Sequence, residues 1–382
     1  MCCTYDFNCP ICSDNKFEFI WESKFPLSMW PCDVGESERI VDFKVIACSK
    51  CGFISRGFYS DESLSTLYSL PQFVLPSQGD TERRKNDLLE MYFVRTEKLN
   101  REIKILEIGG GRNSYLPELS AQFETTIIDF SFENPLFKDG KCRKILGSVL
   151  DQQFEENFYD YIVGYQTLEH LPKVSTQLEY LRRALKDNGI LIIEVPNLEY
   201  LSDKMPFYMY FPQHLSYFTS FHLKELILTC GFKILKVDDS GPNLTIIAQK
   251  SNEISDLTKD YTEGKMISKK ITEKRLASMY KLEDLFSRLM ELGDLQIVGA
   301  GGSLTCLLVN SPVLANEKVS IFDRDQEKIG NFVPGRQILI KNVNQLSLEK
   351  NILFFTNSTR LHYSRSEKQL LRSYSIEDAL NI

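Results

Sequence analysis

A short apolar run that ends in three glycines, Lys104-Ile-Leu-Glu-Ile-Gly-Gly-Gly-Arg112, constrains this chain more than any other stretch. It reads as a buried strand feeding a turn where only bare backbone can approach a ligand. A second apolar run, Thr126-Ile-Ile-Asp129, ends in an acid placed to bind the hydroxyls of a ribose. Together they predict an α/β fold built on a doubly wound sheet, and a nucleoside cofactor. The glycines run into Arg112, Asn113 and Ser114, so the third glycine of the dinucleotide pattern G-x-G-x-x-G is absent and NAD is disfavoured. Glu107 lies inside the motif, where a pyrophosphate is repelled and an ammonium group is welcome.

The line resembles motif I of the class I methyltransferases, whose methyl donor, S-adenosyl-L-methionine, carries such an ammonium. The resemblance places Glu107, Gly109, Gly110 and Gly111 at the methionine end of the cofactor, Asp129 at its ribose and Val149, Leu150 and Asp151 beside its adenine. Downstream, Phe158-Tyr-Asp-Tyr-Ile-Val-Gly-Tyr165 is a strand that leaves through Gln166-Thr-Leu-Glu-His170, and Gln166 joins the cofactor set. Leu185-Lys-Asp-Asn-Gly-Ile-Leu-Ile-Ile-Glu-Val-Pro-Asn197 reads as a helix end, a glycine stop and another buried strand. This order is that of strands four and five in the superfamily. Two more apolar runs, at 232–237 and 244–249, fit the antiparallel pair that ends its sheet, which sets a methyltransferase domain at 77–250.

The N-terminus carries a second pattern. Cys9-Pro-Ile-Cys12 and Cys48-Ser-Lys-Cys51-Gly52 are two C-x-x-C knuckles, each able to give two thiolates to one tetrahedral Zn²⁺. Four cysteines leave no position for water, so the zinc is structural and the domain at 1–76 is a zinc-binding lobe. Disulfides compete with this reading, but no signal peptide precedes the knuckles, and ten cysteines in a reducing compartment favour metal and a cytoplasmic location. Cys2, Cys3 and Cys32 lack a paired spacing, and Cys142, Cys230 and Cys306 read as core or partly exposed thiols.

With 382 residues, 43% of them hydrophobic, the chain can bury two or three cores, and no run is long enough to span a bilayer. A net charge of −7 argues against a nucleic-acid partner, and no membrane partner is expected. Residues 251–292 read as a polar helical connector whose apolar positions Met266, Ile271, Leu276, Tyr280, Leu282, Leu285 and Leu289 recur at loosely helical spacing. From 293 to 382 a small Rossmann-like unit follows, with Leu295-Gln-Ile-Val-Gly-Ala-Gly-Gly-Ser303 again strand then glycine turn and Val319-Ser-Ile-Phe-Asp323 again strand then acid. Leu304 stands where a dinucleotide site has its third glycine.

Knuckles, methyltransferase core, connector and a terminal unit containing Phe322-Asp-Arg-Asp-Gln-Glu-Lys-Ile-Gly-Asn-Phe-Val-Pro-Gly-Arg336 resemble, over nearly the whole chain, the sugar C-methyltransferases of deoxysugar pathways. The resemblance implies a nucleotide-linked keto sugar as acceptor and a base that removes a proton next to its carbonyl. The family's Tyr-x-Glu-His-x-x-Tyr-Phe segment corresponds here to Phe211-Pro-Gln-His-Leu-Ser-Tyr-Phe218, which makes His214 the general base and keeps Tyr217. Phe211 and Gln213 replace a tyrosine and a glutamate, so the hydroxyl that steadies an enolate and the carboxylate that assists the base are missing, and O-methylation stays open beside C-methylation. His170 is placed at the active site, and Tyr68, with Tyr59 as alternative, is the N-terminal tyrosine that reaches it; His222 and His362 have no supporting context. Two other functions remain: an NAD-dependent nucleotide-sugar oxidoreductase or epimerase using the terminal glycine turn, for which no Tyr-x-x-x-Lys pair is found, and a non-catalytic zinc-ribbon adaptor. The expected assembly is a monomer or a homodimer.

Overall fold

The computed structural model describes residues 2–4, 7–26, 28–33, 39–57, 78–95, 102–111, 114–130, 142–251, 260–315, 319–356, 360 and 373–380. Three sheets organise them. The first is an antiparallel meander of β1 (Cys2–Thr4), β2 (Lys16–Pro26), β3 (Ile40–Cys48) and β4 (Ile54–Arg56). Phe25 and Phe43, both buried, meet edge to face with ring centroids 5.1 Å apart.

The second sheet takes β5 (Lys104–Ile108), β6 (Glu124–Asp129), β7 (Arg143–Leu146), β8 (Tyr159–Tyr165) and β9 (Leu185–Pro196), all parallel, and adds β11 (Phe232–Asp238) and β12 (Asn243–Lys250) as an antiparallel pair. Its order is β11-β12-β9-β8-β5-β6-β7, the doubly wound arrangement expected from the sequence. Strands β5, β8 and β9 are buried along most of their length, as parallel strands covered on both faces must be. The helices of this region are α1 (Gln78–Arg95), α2 (Leu116–Leu119), α3 (Val174–Ala184), α4 (Leu198–Lys204) and α5 (Ser220–Thr229). Gly189 does not act as a helix stop: β9 already pairs at Leu185 with Tyr159, then resumes at Ile190 with Tyr161, so residues 186–189 bulge out of the ladder around the left-handed Asn188.

Between β9 and β11 the chain makes a two-residue strand, β10 (Ser216–Tyr217), which leaves the central sheet and pairs antiparallel with β4. The N-terminal meander thereby gains a fifth strand from the segment that carries His214. A 30-residue helix, α6 (Thr262–Glu291), follows. Its buried face is Gly264, Ser268, Ile271, Arg275, Met279, Leu282, Phe286 and Leu289, a repeat of three and four residues. Met266, Leu276 and Tyr280, expected on the apolar stripe, are instead 67%, 54% and 68% exposed. The third sheet is parallel, in the order β15-β14-β13-β16-β17, from β13 (Leu295–Val298), β14 (Val319–Asp323), β15 (Ile340–Asn342), β16 (Asn351–Phe354) and β17 (Ser373–Ser375), with α7 (Gly302–Asn310) and α8 (Ile376–Leu380). A bridge between Cys32 and Phe332 ties it to the N-terminal lobe.

Candidate active site

The glycine turn after β5 is forced by its neighbours. Gly109 has φ +69°, and a Cβ there would lie 2.1 Å from Thr167 Oγ1, a hydroxyl engaged with the Ile108 carbonyl at 3.2 Å. At Gly111 a Cβ would meet the Asp129 carboxylate at 2.7 Å, and at Gly110 it would meet the Glu107 carboxyl carbon at 2.6 Å. Glu107 itself is 3% exposed and accepts a hydrogen bond from the Ser114 hydroxyl. Burial pushes its carboxyl up to about 7, against the pull of Ser114 and Arg84. A buried acid raised this far is one that a ligand ammonium returns to its ionised form, so the turn fits the methionine end of the expected cofactor.

Arg84 is a residue the sequence reading missed. It projects from α1, donates to Glu194 Oε1 through Nε at 3.1 Å and Nη2 at 2.5 Å, and lies over the Tyr165 ring. Glu194 is fully buried in β9 and also pairs with Arg83. Gln166, held at φ +53°, donates to Glu194 at 3.3 Å and to Asn243 Oδ1 at 3.1 Å. A helix far upstream and a strand far downstream therefore meet at the end of β8, a convergence that no local motif announces.

A cavity of about 450 Å³ joins these groups to the second cluster of the site. Glu107, Gly109, Gly110 and Gln166 line it together with Glu169, His170, His214 and Tyr217, and Trp30, Tyr208 and Phe211 contribute apolar wall. Gly111, Asp129, Val149, Leu150 and Asp151 do not line it: Asp129 sits at the end of β6 against Gly111, and Val149–Asp151 is a 3-10 turn after β7. Tyr68 and Tyr59 fall outside the described residues, as do Arg112, Asn113 and His362.

The carboxylate that Gln213 fails to provide is present from another loop. Glu169 places Oε1 3.6 Å from His170 Nε2 and 4.0 Å from His214 Nε2, and neither of its oxygens has a hydrogen-bond partner. The two imidazoles meet edge to face at 4.8 Å. His170 Nδ1 lies 3.0 Å from the Gln213 carbonyl, which only accepts, so Nδ1 carries the proton and Nε2 a lone pair. Burial lowers His170 to about 4 and His214 well below its usual range, and raises Glu169 to about 8. The cluster thus holds neutral imidazoles beside an acid that burial keeps protonated until mildly alkaline pH. Tyr217 spends its hydroxyl on the Phe211 carbonyl at 2.9 Å, which fixes the turn carrying His214.

The four knuckle cysteines come together. Cys9 and Cys51 place their sulfurs 3.5 Å apart, Cys12 and Cys48 theirs 3.4 Å apart, and all four lie within 4.8 Å of one another. The separations suit one tetrahedral ion, with Gly52 at φ +81° turning the second knuckle. His222, without context in the sequence, is fully buried and bridges Thr219 Oγ1 at 2.7 Å and the Cys51 carbonyl at 3.0 Å, so it clamps the knuckle. In the terminal unit, the acid that ends β14 is engaged: Asp323 Oδ2 accepts from Ala300 N at 2.7 Å within its own glycine turn. Trp30 lies 3.5 Å from where a Cβ on Gly301 would sit.

Residues 78–237 match the family model described as "Methyltransferase domain". A stretch of 103 residues is 31% identical to an uncharacterized protein of Methanocaldococcus jannaschii, covering 26% of this chain and 44% of that protein. The chain thus spans less than half the length of that relative. Similar solved structures include S-adenosylmethionine-dependent methyltransferases from Mesorhizobium loti (11% identity, 39% of this chain and 91% of that one, TM-score 0.34) and Archaeoglobus fulgidus (20% identity, 44% and 94%, TM-score 0.35). Another comes from Methanosarcina mazei, at 22% identity over 42% of this chain and 98% of that one, with a TM-score of 0.32. By that match, residues 78–237 carry a methyltransferase domain, and they hold the doubly wound sheet described above. No helix among the described residues is long and apolar enough to cross a membrane.

Proposed function

We propose that the protein moves the methyl group of S-adenosylmethionine to an oxygen or an acidic carbon of a small polar acceptor, a nucleotide-linked sugar by its family resemblance, with His214 taking the acceptor's proton. One observation carries the reading: a single cavity runs from Glu107 and the glycine turn to His170 and His214. In this scheme Glu107 holds the donor's ammonium, and Asp129, at the end of β6, its ribose. The sulfonium methyl and the acceptor then share one enclosed space, and holding them at attack distance is the larger part of the rate gain. His214 accepts the proton in its neutral form, and Glu169, once ionised above about pH 8, balances the imidazolium that results. The new bond to carbon or oxygen forms as the sulfur–methyl bond breaks, the sulfur keeping the electron pair. We assign the boundaries as 1–76, 77–250, 251–292 and 293–382, and the ion held by Cys9, Cys12, Cys48 and Cys51 as zinc, since four thiolates without an open position serve structure.

An NAD-linked reaction in the terminal unit finds no support, because Asp323 is bonded to its own turn. The test is turnover with a panel of nucleotide-linked sugars and carbon-labelled donor, the product examined by NMR for a new C–CH₃ or O–CH₃ signal. His214→Ala should lower turnover by about 10²- to 10⁴-fold with S-adenosylhomocysteine affinity nearly intact. Full activity in that variant would reduce His214 to packing.

A further inference from the structure

We propose that Glu169, His170 and His214 form a second metal site, distinct from the four-cysteine centre, which takes a divalent transition-metal ion inside the cavity. The three side chains offer one carboxylate oxygen and two imidazole nitrogens, all within 4.8 Å of one another. Donors on a tetrahedral ion with bonds near 2.1 Å stand about 3.4 Å apart, so the observed 3.6 Å and 4.0 Å need only small side-chain rotations to close.

Two features separate this group from a chance meeting. Glu169 is 1% exposed and both of its oxygens lack a hydrogen-bond partner, a costly arrangement for a buried carboxylate that an ion would relieve. His170 is oriented as a ligand: its Nδ1 donates to the Gln213 carbonyl at 3.0 Å, which leaves the Nε2 lone pair directed toward Glu169. A backbone carbonyl holding the far nitrogen of a histidine is the support that fixes tautomer and ring plane at metal centres. The backbone is pinned as well, since Leu215 N donates to the Glu169 carbonyl at 2.8 Å and His214 N to the Phe211 carbonyl at 3.0 Å. Gln213, where the family has a glutamate, contributes through its backbone, so the carboxylate of the site comes from Glu169 instead.

Two histidines and one carboxylate suit zinc, iron, cobalt or nickel better than magnesium or calcium, and three protein ligands leave a coordination position open. That position lies in the cavity lined by Glu107 and Gly110. A loaded site would select acceptors presenting a hydroxyl, carbonyl or carboxylate oxygen beside the methyl donor. This consequence rests on the proposed methyl transfer; the binding of the ion does not. His214 takes the acceptor's proton in the metal-free protein and is a ligand in the loaded one, so the two roles belong to different states and can be told apart.

The experiment is a cobalt(II) titration of the full chain after removal of its metals, followed by absorption spectroscopy. The four-thiolate centre gives intense sulfur-to-cobalt charge transfer in the near ultraviolet. The second site gives visible ligand-field bands without it, from a second equivalent. Glu169→Gln and, independently, His170→Ala should weaken the second equivalent by about tenfold or more while leaving the thiolate signal unchanged. A wild-type titration that stops at one thiolate-bound equivalent overturns the proposal, as does a second equivalent that survives both substitutions. An enzyme that loses turnover in His214→Ala yet never binds the second equivalent keeps His214 as the base and removes the metal.

Discussion

If Glu107 holds the donor's ammonium as proposed, it couples cofactor binding to pH, because burial raises its carboxyl to about 7 in the cofactor-free protein while an ammonium pairs only with the ionised form. The sign follows from linkage. A raised carboxyl binds its proton more tightly folded than unfolded, so it stabilises the free protein at low pH and loses that contribution as pH rises toward 7. Cofactor binding must expel the proton, and the affinity for S-adenosylhomocysteine should fall about tenfold per pH unit below about 7. Calorimetry from pH 5 to pH 8 checks this, and Glu107→Gln should bind weakly with the slope abolished. Asp129→Ala should cost about 2 kcal/mol of binding if its carboxylate accepts the ribose hydroxyls, and unchanged affinity would remove that assignment. Glu107, Gly109 and Gly110 stand out together in the sequence because one contiguous run carries them to the cavity wall. Glu169 stood in plain sight within Leu168-Glu-His170, but its proximity to His214 is created by a crossing 45 residues later and has no local trace.

The elements that were easy to read are those whose burial is uniform, and the misreadings follow from the same physics. Strands β5, β8 and β9 show as apolar runs because helices cover both faces, whereas β7, a sheet edge with no fully buried position, leaves no pattern. Helix α6 was legible as a helix but not in its phase. Its buried face includes Gly264, Ser268 and Arg275, and Arg275 is accommodated by the rings of Trp21 and Tyr210 at 4.6 Å and 4.9 Å and by Asn310. Apolar count alone therefore mixed buried positions, Ile271, Leu282 and Leu289, with the exposed Met266, Leu276 and Tyr280. Gly264 gives a sharp test, because two effects oppose each other there. Alanine is the better helix former by about 1 kcal/mol, but its Cβ would lie 2.6 Å from the Cys51 carbonyl and from the Phe221 ring. The carbonyl belongs to the second cysteine knuckle and is held by His222, so it has little freedom to retreat. Overpacking costs about 1 to 3 kcal/mol, and the net expectation for Gly264→Ala is a lower melting temperature and easier loss of the knuckle's metal to a chelator.

At the scale of the whole molecule, the N-terminal lobe builds part of the cavity that holds His214. Strand β4 pairs with β10, Arg56 N donates to the Leu215 carbonyl at 3.0 Å, and Arg56 Nη1 donates to the Pro212 carbonyl at 2.7 Å. These bonds bracket His214 on both sides in sequence, so the lobe sets where its imidazole points. The knuckles and the two glycine turns each fall in one of the three sheets' regions, but a strand exchanged between sheets left no trace in the sequence, since two residues carry no periodicity. The consequence separates positioning from cofactor binding. Arg56→Lys keeps the charge and loses the fork that reaches Pro212, so the turn should loosen while the glycine turn after β5, a different wall of the cavity, stays as it is. Turnover is expected to drop about 10- to 100-fold at saturating donor, with S-adenosylhomocysteine affinity within about twofold of wild type. Removing the knuckle metal should act through the same lever, because Cys51 is tied to α5 by His222 and to α6 by Gly52 and Gly264. Equal losses of turnover and cofactor affinity in Arg56→Lys would mean that the lobe supports the fold as a whole and not the setting of His214.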